Sequence, residues 1–414
     1  MDPNAWIMTT PTNNMDFKEK RKFICMEKPR RLMVYHGIVL SVRTSLSGVS
    51  VMHTPQKPFY KIASVVSLLA LGCGTAIEPT DAEEGLDAEL ADLSDASAVT
   101  YKYEVTALEP DQVVNGTTLF AEQINEDNSR IVEVNMLGEV QWSYEVTKTN
   151  FEQPMVFDVE LTPDNTILFV TMNGIYEVNR DGKTIWEHKN ESATHDVDRL
   201  ENGNTIYAVG WAERGSAQVV EVNTAGETVW SWDGMNAFSD AEFAEVSDEG
   251  WMHVNGVQRL DNGNTLVTVR NFQAVVEIDA DGEVLDGFYF DSGSEGQLPG
   301  DREVVGSNVH DAEYLDGGSY LAVTRRPARA VVVTPGASEV DWAWPAEGIN
   351  ALARPLEANR VGVENTLIAD ERRIIEVNAA GQVVWQLEAT STTLVDRSFR
   401  KVQRIAEDGT IYGH

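Results

Sequence analysis

The chain has 414 residues, 42% of them hydrophobic, and a formal net charge of −34. That apolar content supports a real core, and the length suits two or three average domains or one repeat fold of roughly 300 residues. Residues 1–72 carry ten Lys/Arg against four Asp/Glu, which leaves the remainder near −40; such a surface repels nucleic acid phosphates and anionic lipid headgroups, and excludes both as partners except through a locally basic site.

Residues 1–51 show neither periodicity nor a motif. Lys57 and Lys61 then lead into an apolar run, Ile62 to Leu71, that ends in Gly72-Cys73. A basic stretch, about ten apolar residues and a small residue before cysteine make a secretory signal with a lipoprotein-type cleavage site, too short to span a bilayer as a helix. The expectation is translation from about Met52, with residues 1–51 an upstream extension foreign to the protein, 52–72 a signal peptide and Cys73 the lipidated residue. Residues 73–98 form an acidic linker with no packed element. The protein is thus expected to be exported and held in the bacterial cell envelope, touching a membrane only through its lipid. Cys25 and Cys73 are the only cysteines, so the mature fold has no disulfide available.

From residue 99 to 414 one phrase recurs. It runs Ile131 to Trp142, Ile175 to Trp186, Val219 to Trp230, Val275 to Leu285, Val331 to Trp342 in degraded form, and Ile374 to Trp385. The tryptophans at 142, 186 and 230 are 44 apart, and 342 to 385 is 43. Each copy is two β-branched alternating runs around an Asn/Asp-x-x-Gly turn, where glycine supplies a positive φ. A second hairpin precedes it, clearest at Arg199–Tyr207, Arg259–Val267 and Tyr314–Tyr320. Two hairpins give four antiparallel strands per unit of about 44 residues, the mark of an all-β propeller blade. The repeated tryptophan is expected to pack between blades. Six copies predict six blades; Arg400–Tyr412 resembles a further first hairpin, so seven is the alternative count, with Tyr101–Val105 as the closing strand.

The repeat also serves as a ruler. Five residues before Leu200, Leu260 and Leu315 stand His195, Asn255 and His310, and His253 lies two before Asn255, on the same side of a strand of period two. Arg270 ends the antiparallel second strand and returns to the level where His253 begins. Three imidazoles, one amide and one guanidinium are therefore expected at one mouth of the central channel. Locking neighbouring blades is the structural alternative for the histidines. Zinc is disfavoured, because a spacing of about 58 residues is no ligand signature and Asp196 and Asp311 follow their histidines rather than face them; no metal or other cofactor is expected.

Trp251-Met-His253-Val-Asn255, followed by Asn264 to Arg270, is similar to the His-x-Asn … Arg segment of bacterial arylsulfate sulfotransferases. The likeness extends to His195 in Thr-His-Asp, to His310 in Asn-Val-His-Asp-Ala and loosely to Ser398-Phe-Arg400, about residues 150–410 in all. It implies a six-bladed periplasmic propeller that moves a sulfuryl group from a phenolic sulfate to a phenol without a nucleotide donor. His310 would be the transiently sulfated nucleophile, His195 the acid and base, and His253, Asn255 and Arg270 the holders of sulfate oxygens. The chemistry suits the residues: neutral imidazole is a nucleophile near pH 7, and cationic donors stabilise the moving anionic group. Arg325 and Arg326 are further cations for admitting an anion to an acidic protein. The family's N-terminal β-domain has no counterpart, nor does a late-blade threonine, for which Arg354-Pro-Leu-Glu357 offers Leu356. The competing function is a non-catalytic envelope scaffold, because the Asp-Gly-Lys-x-x-Trp phrase also occurs in outer-membrane assembly propellers and quinoprotein dehydrogenases.

Overall fold

The computed structural model describes residues 103–244, 246–247, 249–289, 307–335, 340–345, 351–390 and 398–413. The expected extension, signal peptide, Cys73 and linker lie outside them. The described residues form six antiparallel sheets arranged as a six-bladed propeller. Four sheets have four strands and two have five.

Each recurring phrase is the outer hairpin of a blade, and its turn has a local cause. In the first, Asn135 Oδ1 accepts the amides of Leu137 and Glu139 at 3.0 Å each, and Gly138 adopts φ 79°. A Cβ at that φ is strained, so the turn selects glycine. The repeated tryptophans do pack between blades. Trp142, Trp186 and Trp230 donate Nε1–H to carbonyls of the next blade's turn at Arg180, Thr224 and Ala280, at 2.8 to 3.0 Å, and Trp385 closes the circle onto Met136 at 3.0 Å. In the degraded copy Trp342 holds the equivalent register opposite Val332, yet Trp344, two residues on, makes the clasp to Gly381 at 3.0 Å.

Ring closure settles the blade count. Ser398–Ala406 is not part of a seventh blade: it pairs with Gly116–Asn125 and supplies an inner strand to the sheet that holds Asn128–Asn135 and Val140–Thr147, so one blade joins both parts of the chain. The other remainder, Tyr103–Leu108, does not close the ring but pairs with Val383–Ala389 as a fifth, outermost strand of the sixth blade.

Polar side chains stitch the inner strands together around the channel. Asp158 accepts the amide of Val197 at 2.9 Å, Asp196 that of Val257 at 2.7 Å, and Glu357 that of Val402. One layer further along, Gln403, Glu160, Gln258 and Glu313 accept the amides of Leu161, Arg199, Tyr314 and Arg360 at 2.6 to 3.0 Å. Every blade thus satisfies backbone donors of the next, which fixes the relative height of the strands.

Candidate active site at the channel mouth

That ladder defines equivalent positions. Val402, Val197 and Val257 each donate to a carboxylate of the preceding blade, so the residues before them, Lys401, Asp196 and Gly256, share one tier. The tier above, at the channel mouth, comprises Arg400, Phe157, His195, Asn255, His310 and Leu356 in blade order. Register shifts between Val156 and Asp158, Val254 and Gly256, and Val309 and Asp311 make Phe157, Asn255 and His310 bulge residues. A bulge drops a residue out of the ladder and re-aims its side chain.

Phe157, His195, His310, Leu356, Arg400 and Lys401 line one small cavity. Ring centroids of His195 and His253 are 4.6 Å apart, and those of His195 and His310 are 6.2 Å apart. His253 does not arrive by strand alternation, which the bulge at Asn255 interrupts. It precedes the strand Val254–Arg259 in the left-handed region at φ 52°, as His195 precedes Val197–Arg199 at φ 68°. Such φ values are uncommon for side chains with a Cβ and persist where surroundings dictate them. For His253 the anchor is Trp251, fully buried, with Nε1–H on the carbonyl of Phe243 at 2.6 Å and Asn271 bonding its own carbonyl at 3.1 Å.

Arg270 lies where the antiparallel return predicts, its amide 3.3 Å from the carbonyl of His253 and its guanidinium paired with Glu249. Asn255 occupies the tier between His195 and His310 but does not line the small cavity; its amide is fully buried and neither Oδ1 nor Nδ2 has a hydrogen bond within the protein. A buried unpaired amide costs about 1–3 kcal/mol, a penalty that a bound oxyanion would relieve. Arg325 and Arg400 join the group, and Arg354, although exposed, is near enough for its charge to act on both; Arg326 is exposed as well.

Hydrogen bonds assign the tautomers. His310 Nδ1–H donates to the carbonyl of Leu356 at 2.7 Å, leaving Nε2 with a bare lone pair. His253 Nδ1–H donates to the carbonyl of Glu249 at 2.7 Å, so its Nε2 accepts from His195 Nε2–H at 3.2 Å. His195 Nδ1 is then an acceptor, and the Thr194 hydroxyl, 2.7 Å away, donates to it. Two of these contacts cross blades, so the histidines also lock blades together. Burial holds all three neutral: His195 and His310 sit well below the usual imidazole value, helped by Arg270, Arg325, Arg400 and His253 for the first and by Arg325 and His195 for the second. Burial, and then Arg270, takes His253 down to about 4. Burial and like charge also lower the guanidinium of Arg325 to about 9 and that of Arg400 to about 10. In a strongly acidic protein this mouth concentrates guanidinium charge, of which Arg270 is paired with Glu249.

Sequence reasoning missed the floor of the site. Lys401 is buried with Nζ 3.0 Å from Asp311 and 3.5 Å from both Asp196 and Glu357. Each partner directly follows a mouth residue, so one ammonium ties four blades together beneath the cavity. The aromatic wall was also missed: Phe157 and Trp211 lie 5.0 and 5.3 Å from the ring of His195. Extending the ruler to Arg400-Lys401 and back to Phe157 was the signal available. At the other end of the channel a larger cleft of about 790 Å³, floored by Glu160 and Asp198, contains no histidine.

Residues 102–286 match the model of the arylsulfotransferase (ASST) family. No curated protein matches the chain. Among solved structures, a protein of unknown function from Bacteroides caccae is 17% identical with a TM-score of 0.49, over 69% of this chain and 97% of that one. Catalytically inactive virginiamycin B lyase from Staphylococcus aureus with quinupristin is 12% identical with a TM-score of 0.44, over 75% of this chain and 98% of that one.

Proposed function

Because this propeller is arylsulfotransferase-like over residues 102–286, we propose that it transfers a sulfuryl group from an aryl sulfate to a phenol through a sulfated His310. The observation that carries the reading is the bare Nε2 of His310, held neutral and fixed in tautomer by the carbonyl of Leu356, inside a cluster of guanidiniums. Arg270, Arg325, Arg354 and Arg400 supply the charge that an ester sulfate and its transition state require. The Asn255 amide, unpaired between the two histidines, gives a sulfate oxygen a buried donor. Phe157 and Trp211 offer apolar surface to the aryl ring.

In the first half-reaction the His310 Nε2 lone pair forms an N–S bond while the S–O(aryl) bond breaks and its electron pair stays on the phenolate. His195, neutral at rest, takes up a proton at Nδ1 as the anionic ester binds and gives that oxygen its Nε2 proton, which leaves it neutral again. In the second, an acceptor phenol loses its proton to His195 Nε2 and forms an O–S bond, and the N–S electrons return to His310.

The test is incubation with 4-nitrophenyl sulfate and a phenol acceptor, following nitrophenolate release and the mass of a sulfuryl group on His310. His310→Ala should abolish both. No turnover by the wild type, or unchanged turnover by the variant, defeats the reading; a stable binding partner retained after replacement of all three histidines would then favour the scaffold function. We also infer export and lipidation at Cys73, on the strength of the run from Lys57 to Cys73. Metabolic labelling with a fatty acid should be lost in Cys73→Ala.

A further inference from the structure

The His195 acid and base of the proposed reaction has two nitrogens to manage, and that reading gives only Nε2 to the phenol oxygen, since Thr194 sits against Nδ1. As acid it needs protons on both; as base for the acceptor it needs Nε2 bare and therefore Nδ1 protonated. In the resting arrangement the reverse holds: Nε2–H points at His253 Nε2, 3.2 Å away, and Nδ1 is the acceptor. Whatever sits against Nδ1 must accept a hydrogen bond in one state and donate one in another. A backbone carbonyl, the partner used by His253 and His310, can only accept.

Thr194 Oγ1 is the group in that place, 2.7 Å from Nδ1. Thr194 is fully buried, and its own amide is fixed on the carbonyl of Ala208 at 3.1 Å. The space behind the pair is reserved for it: a Cβ on Gly210 would come within 2.6 Å of Thr194 Cγ2 and 2.9 Å of His195 Nδ1. The hydroxyl therefore has a fixed position, a free rotor and both hydrogen-bonding senses.

We propose that Thr194 is a positioning residue whose hydroxyl reverses its hydrogen bond to His195 during turnover, donating to Nδ1 at rest and accepting from Nδ1–H while His195 works as acid and base. This rests on the sulfuryl-transfer reading. One proton enters from water with the anionic ester and settles on Nδ1 as the hydroxyl rotates. Nε2–H then passes to the departing phenolate, leaving the Nδ1–H tautomer with Nε2 bare, and the acceptor phenol returns a proton to Nε2. Nδ1–H is kept throughout, so each cycle balances.

The experiment compares wild type, Thr194→Val, which keeps the shape without the hydroxyl, and Thr194→Ser, which restores it. Two donors are used: 4-nitrophenyl sulfate, whose phenolate leaves readily, and phenyl sulfate, which needs its leaving oxygen protonated. Valine should slow the phenyl ester about 10- to 100-fold in kcat with KM little changed, slow the nitrophenyl ester less than about 3-fold, and be rescued by serine. Equal slowing of both esters, or a valine variant as fast as wild type on phenyl sulfate, overturns the proposal. Nitrogen-15 NMR of the resting protein gives a readout without turnover. His195 should show a protonated Nε2 and a hydrogen-bonded, unprotonated Nδ1 whose shift moves in Thr194→Val while that of His310 does not; a protonated Nδ1 at rest, or no shift with valine, overturns it equally. A wild type that transfers no sulfuryl group defeats the functional reading instead, and the nitrogen shifts still decide whether Thr194 sets the tautomer.

Discussion

Lys401→Met removes the single ammonium among Asp158, Asp196, Asp311 and Glu357 while keeping most of the side chain's volume. Burial opposes the charge on this lysine, but the four carboxyls raise it well above its ordinary value, so it stays protonated at neutral pH. Burial in turn pushes Asp158 up to about 7 and Glu357 up to about 8, with Lys401 pulling both down. Deleting one partner of a buried charge cluster costs about 3–5 kcal/mol. Over a propeller of roughly 310 residues, at about 2.1 cal/mol/K per residue, that is a fall in Tm of about 5–8 °C.

The pH dependence has a definite sign. Carboxyls whose folded values are raised contribute stability that is full below their unfolded values near 4 and lost as pH rises through about 7 to 8. Without the lysine those values rise further, and more of the loss falls in the neutral range. The gap between variant and wild type should therefore be widest near pH 8 and narrow near pH 5, where Asp158 and Glu357 are both protonated. Calorimetry at the two pH values measures it. A loss below about 1 kcal/mol, or a gap that widens on acidification, refutes the account of Lys401 as the counter-charge of the floor.

With His310 neutral well below its usual value and His253 down to about 4, kcat/KM on 4-nitrophenyl sulfate should hold as pH falls past 6.5 and drop only below it; an acid limb at or above 6.5 contradicts the burial argument. Gly210→Ala places a methyl 2.6 Å from Thr194 Cγ2 and should cost about 10- to 100-fold in kcat by displacing His195, with Tm measured alongside to separate misplacement from unfolding. Asn255→Leu removes the unpaired amide and should raise stability by about 1–3 kcal/mol while weakening aryl sulfate binding, measured by calorimetric titration; unchanged affinity would remove Asn255 from the sulfate pocket.

The fold was legible because the repeat is written in residues with a single structural meaning. Asn135 to Gly138 and its copies specify a turn, and the tryptophans specify a neighbour. The ruler from Leu200, Leu260 and Leu315 placed His195, Asn255 and His310 in one tier, since inner strands keep their height across blades. It failed where height is set by long-range pairing. Arg400 and Lys401 enter the site because Ser398–Ala406 joins Gly116–Asn125; the strand is legible as a first hairpin, but its distant partner is not. The tautomers were illegible for the same reason: the carbonyl of Leu356 that orients His310 belongs to another blade, 46 residues away.

That closing strand also gives the protein a birth order. Arg404 bonds Thr118 across 286 residues, so the ring joins only when the last strands have been made. Until then Gly116–Asn125 presents an unpaired edge, the carboxyls of the floor have no ammonium, and the mouth lacks Arg400. A chain that stops just short of Ser398 retains His195, His253 and His310 yet has no assembled site. Termination before Ser398 should therefore give an inert, sticky product rather than a weak enzyme, and competence arrives in one step when Ser398–Ala406 joins Gly116–Asn125.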